Sequence, residues 1–131
     1  MGVLGIGGLF FRARDPEALG AWYRDHLGVG AGCAAEGTAG EGGEPSPWFW
    51  TIQGGPVVFQ PFRADSDYFP ADKQYMLNLR VSGIDGLLTS LRAAGIATET
   101  RAEWDAPETG RFARIADPEG NPIELWEPPA A

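Results

Sequence analysis

The sequence predicts an α+β domain assembled from two similar strand–helix units, and three observations carry that prediction. A strand-like alternation followed by a helical apolar stripe and a glycine stop occurs twice in register. Short apolar runs punctuated by Gly, Pro and Asn follow each helix. The C-terminal stretch Asp117-Pro118-Glu119-Gly120-Asn121-Pro122-Ile123-Glu124-Leu125-Trp126-Glu127-Pro128 reads as a tight turn feeding a strand that carries a carboxylate.

In the first unit, residues 4–14 alternate Phe10 and Arg12 against Leu9, Phe11 and Ala13, as a strand does. Asp15 then offers a helix N-cap, Pro16 suits the first helical position and Glu17 favours the positive end of the helix dipole. Leu19, Trp22, Tyr23 and Leu27 recur at helical spacing, and Gly28 ends the helix. The second unit repeats the plan with a strand over 75–81 and a helix over 82–94. Ile84, Leu87, Leu88 and Leu91 form its apolar stripe, and Gly95 is its stop. Further strands are expected at 47–53, 57–62, 97–101, 111–116 and 122–126. Residues 30–47, rich in Gly, Ala and Glu and without periodicity, read as a long surface loop. Gln53-Gly54-Gly55-Pro56 reads as a hairpin connection. The mixture around Tyr68-Phe69-Pro70 reads as a linker between halves.

Composition bounds the function classes. A chain of 131 residues with 44% hydrophobic residues builds one core, not two. A net charge of −8 argues against nucleic acid, whose phosphates require clustered Lys and Arg. Met1 to Leu9 has no basic n-region, and no apolar span of about 18 residues exists, so neither a signal peptide nor a membrane helix is expected. The expected compartment is the cytoplasm. Cys33 is the one cysteine, which rules out an internal disulfide or a thiolate cluster, and it is read as a bystander. His26, the one histidine, falls in the last turn of the first helix, where the dipole favours it as a surface residue. Asp65, Asp67 and Asp72 lack calcium-loop spacing and are read as a solvated face.

Alternation in the last strand sends Ile123 and Leu125 to one face and Glu124 and Trp126 to the other. The turn, this strand and the doubled strand–helix units together resemble the vicinal oxygen chelate superfamily, which includes glyoxalase I, bleomycin-resistance proteins and extradiol dioxygenases. The resemblance covers nearly the whole chain. It implies a glyoxalase-like fold of paired βαβββ modules forming a curved mixed sheet, with helices on the convex side and a cavity on the concave side. On that plan residues 1–131 form one domain, with module 1 over about 1–63, a linker over about 64–74 and module 2 over about 75–128. Relatives usually pair as homodimers.

The same resemblance implies a divalent metal held by the first and last strands of each module, and the glutamate at the position of Glu124 is a ligand in that family. This chain departs from the pattern at the other three positions, which fall at Gly8, at Met76 and at Gln60 or, one register away, Phe59. Glycine has no donor, and a thioether is a poor partner for a hard ion. No metal site and no cofactor are therefore expected.

What remains is a pocket for a small molecule. Strand alternation places Phe10 and Arg12 beside Gly8, and Asn78 and Arg80 beside Met76. Trp48 and Trp50 share a face and add stacking surface. With Gln60, Glu124 and Trp126, this inventory suits an anionic or amphipathic aromatic ligand. Two functions stay open. One is a metal-free binding protein of the bleomycin-resistance type. The alternative is an enzyme of the glyoxalase or dioxygenase type (isomerase, lyase or epimerase) with Glu124 as base or metal ligand and Arg12, Arg80 or Asn78 facing the developing charge. In either, an inward Glu124 needs a partner from Arg12, Arg80, Arg114, Gln60 or Asn78.

Overall fold

Among the described residues two helices cover one face of a small mixed sheet, and the opposite face carries polar and aromatic side chains. A computed structural model describes residues 2–4, 6–30 and 50–130 of the chain. The first helix, α1 (Pro16–Leu27), begins as the sequence reading expects. The Asp15 carboxylate accepts the Ala18 N–H at 3.1 Å, Pro16 occupies the first turn, and Gly28 closes the helix in the left-handed region at φ 70°.

The strand β1 (Leu77–Arg80) leads into the second helix, α2 (Ile84–Ala93), and the strands β2 (Arg111–Ala116) and β3 (Pro122–Glu127) follow. The sheet order is β1-β3-β2, with β3 parallel to β1 and antiparallel to β2. Register sorts the side chains. Leu79, Ala113, Ile115, Ile123 and Leu125 pack with Ile84, Leu88 and Leu91 of α2 and with Leu19 and Tyr23 of α1 in one buried core. Asn78, Glu124 and Arg114 form one row across the other face, and Arg80, Trp126 and Phe112 form the next.

The turn before β3 also ties the two halves together. Gly120, not Asn121, takes the positive φ, at 84°. The buried Asp117 accepts the backbone N–H of Glu119 at 2.9 Å and of Asn121 at 3.0 Å, the Asn121 amide at 2.7 Å and the Tyr23 hydroxyl of α1 at 2.8 Å. From the same turn, the Glu119 carboxylate takes the N–H groups of Arg14 and Asp15 at 2.6 and 3.0 Å.

Several expected elements are corrected. Among the described residues, those of 4–14, 47–53 and 57–62 join no ladder, and the 53–56 turn closes no hairpin. Alternation specifies which way side chains point, but a strand forms only where a neighbouring edge completes its hydrogen bonds. The expected strand 97–101 shrinks to a single bridge between Glu99 and Arg114. Residues 31–49, with Cys33, nearly all of the expected loop and Trp48, lie outside the described residues. Among the described residues no helix is long and apolar enough to cross a membrane.

Candidate functional site

The polar row of the sheet centres on Glu124, which sits in the middle strand at 8% exposure. Such a carboxylate needs donors, and two reach it. The Asn78 side-chain amide, from the facing residue of β1, donates to Oε1 at 2.8 Å. The Tyr68 hydroxyl, delivered by the segment between the two halves, donates to Oε2. Burial, then the bond to Glu124 and its negative charge, push the Tyr68 phenol up to about 12, while the nearby Arg114 pulls it down.

Arg114, which faces Glu124 from β2, is enclosed by rings. Its Cζ lies 4.8 Å from the Tyr68 ring centroid and 5.7 Å from that of Trp104. Tyr68 packs edge-on against Trp104 at 6.4 Å and tilted against Phe62 at 5.5 Å, and Phe62 also meets Phe69. In the next row Phe112 stacks on Trp126, with centroids 6.3 Å apart and planes within 9°. Arg80 lies over Trp126 at 5.3 Å and donates to the Pro56 carbonyl at 2.6 Å. That bond brings the 54–56 turn against the sheet. Gly54 sits at φ 130°, a backbone conformation that residues with a Cβ rarely adopt.

Of the residues expected from sequence, Asn78, Arg80 and Trp126 share this face with Glu124, and Asn78 is its bonded partner. Met76 lies half-buried just ahead of β1. Gly8, Phe10, Arg12, Trp50 and Gln60 are exposed in the first half. Phe10 is 94% exposed, and the Gln60 amide bonds the neighbouring Pro61 carbonyl. Arg12 instead lines a groove of about 280 Å³ with Ala13, Arg14, Lys73, Glu119 and Asn121.

Among the described residues, the positions expected to carry metal ligands do not bring together a donor set for a divalent ion. Gly8 brings no donor, Gln60 and the neighbouring Phe59 stay exposed, and both Glu124 oxygens are held by hydrogen-bond donors. Among the described residues no three His, Cys, Asp or Glu side chains come together. His26 packs against Trp22 at 5.5 Å on α1, and Asp65 pairs with Arg63, which holds its carboxyl below the usual range.

Sequence reasoning did not single out Tyr68 or Trp104, and it read Asp117 only as a turn residue. Neither aromatic has a periodic signal, because both reach the sheet face from irregular segments. One signal was present: a lone Tyr-Phe pair in an otherwise polar linker is costly to leave in water.

Residues 8–126 match the glyoxalase-like domain family. The crystal structure of TnmS3, an antibiotic binding protein from Streptomyces sp. CB03234, is similar in fold over 98% of each chain, at 19% sequence identity and a TM-score of 0.53. No curated protein matches the chain. The sheet order, the strand–helix plan and a family match across nearly the full length agree, and the chain belongs to the glyoxalase-like family of the vicinal oxygen chelate superfamily.

Proposed function

We propose that this protein binds a small aromatic molecule, anionic or amphipathic, on the Glu124 face and does so without a metal ion. The observation that carries the reading is the Glu124 cluster itself. Its two oxygens are engaged by Tyr68 and Asn78, and aromatic rings lie around it on the same face. This is a recognition surface, with flat apolar area for affinity and a few directed polar groups for orientation. The resemblance in fold to an antibiotic binding protein is in keeping with it. Two such chains would enclose the ligand in the cytoplasm as a homodimer.

The enzymatic alternative keeps one specific support, the guanidinium of Arg114 facing Glu124 across the strands. A general base, however, needs a lone pair aimed at the proton it removes. Each Glu124 oxygen already accepts one hydrogen bond from the protein, which leaves fewer lone pairs free to aim at a substrate proton.

A naphthoate bearing one phenolic hydroxyl is a suitable probe, since its hydroxyl can replace that of Tyr68 on Glu124. Glu124→Gln is expected to keep its melting transition and to lose about tenfold in affinity, because a neutral acceptor replaces a charged one. Elemental analysis of the purified protein is expected to show no stoichiometric divalent ion. One Ni, Zn, Fe, Mn or Co per chain, or an unfolded Glu124→Gln, overturns the reading.

A further inference from the structure

We infer that Arg114 is the anchor for an oxyanion on the ligand, a carboxylate or phenolate borne by a flat ring, and that Tyr68 is the movable cover over that anchor. The inference rests on the binding reading and names the ligand chemistry of the same face. Nε and Nη2 of Arg114 are sealed from solvent and have no hydrogen-bond partner among the described residues. These two nitrogens form the side-on edge of the guanidinium, the edge that grips both oxygens of a carboxylate in parallel. A buried donor left without an acceptor is unfavourable. Glu124 faces Arg114 across the ladder, yet its oxygens are taken by Tyr68 and Asn78. Among the described residues no acid meets these two nitrogens, and they are poised for one that a ligand brings.

Tyr68 shows what chemistry the place accepts. Its ring covers the guanidinium, its edge meets Trp104, and its hydroxyl bonds Glu124. A phenol on a flat ring is already accommodated there. Tyr68 reaches the site from a turn-rich segment rather than from the sheet, so its withdrawal leaves the strand pairing intact. A ligand ring that takes its place gains the same faces and adds the oxyanion that Tyr68 lacks. Specificity follows, because a neutral analogue of the same shape leaves the Arg114 edge unmet.

The test compares the hydroxynaphthoate with its neutral amide by isothermal titration, on wild type, Arg114→Gln, Arg114→Lys and Tyr68→Phe, each checked by thermal melting. Wild type is expected to prefer the acid by about tenfold or more. Arg114→Gln erases that preference, and Arg114→Lys, which keeps the charge without the fork, retains only part of it. Tyr68→Phe, freed of its bond to Glu124, binds the acid several-fold more tightly. If Arg114→Gln does not fold, an undiminished acid preference in Arg114→Lys overturns the anchor. Equal binding of acid and amide, unchanged in Arg114→Gln, overturns the anchor while leaving the binding reading in place. Weaker or unchanged binding by Tyr68→Phe overturns the cover. Absence of binding by both probes overturns the anchor and the binding reading together.

Discussion

Tyr23 and Asp117 are the pair on which the joint between α1 and the last turn depends. The Tyr23 hydroxyl donates to the buried carboxylate, and burial, followed by that bond and the charge behind it, raises the phenol well above the usual 10.0. Tyr68 is raised to about 12 by burial and Glu124. A phenol whose folded-state value lies above its unfolded value favours folding in its protonated form. The contribution is complete below pH 10 and is lost as the pH climbs through 12. Thermal melts are therefore expected to hold steady up to about pH 9.5 and then to fall steeply. Tyr23→Phe is expected to cost about 1 kcal/mol at neutral pH and to flatten the alkaline fall. A melting temperature independent of pH between 9 and 12, or an alkaline fall unchanged in Tyr23→Phe, contradicts this assignment. At this scale the sequence was only partly readable. Asp117 announced a turn, but nothing local announced that a tyrosine 94 positions earlier would share its carboxylate.

Helix boundaries show the same division between near and distant causes. The start and end of α1 follow from Asp15, Pro16 and Gly28, all within a few residues of the ends they set, and they were legible in advance. The start of α2 was not, and the helix begins at Ile84 rather than Ser82. Gly83 enters at φ 63° and has no side chain to cap the helix. The cap comes from Glu127 of β3, whose Oε1 accepts the Gly83 and Ile84 N–H groups at 2.7 and 3.2 Å from 44 and 43 positions away. A carboxylate there satisfies two free donors and complements the helix dipole. Glu127→Ala is expected to cost about 1 kcal/mol in urea unfolding, with faster amide exchange concentrated in the first turn of α2. Uniform exchange along the helix argues against the cap. The strands divide similarly. Those at 111–116 and 122–126 were legible because each packs against an adjacent neighbour, whereas the first-half patterns form no strand among the described residues.

The molecule as a whole has an unequal division of labour. Among the described residues all three strands come from the second half, and the first half adds α1 to the core. Half the site was therefore legible: Glu124, Asn78, Arg80 and Trp126 fall together by register alone, while Tyr68 and Trp104 arrive through loops whose course no periodicity encodes. The large apolar side chains left exposed are concentrated before residue 63, with Tyr75 the exception, and include Leu4 at 99% and Phe59 at 84%. β1 is at the edge of the sheet, with β3 on one side only. Exposed apolar segments with strand alternation and an open edge strand are complementary surfaces, and a two-fold pair of chains can satisfy both with one repeated contact. The proposed homodimer follows. Light scattering is expected to give twice the 14.0 kDa chain mass at micromolar concentrations, and Phe10→Glu with Phe59→Glu is expected to shift it toward one chain without loss of the α1 and α2 helicity. A wild-type mass of one chain across that range overturns the pairing, and the exposed first-half segments then need another partner.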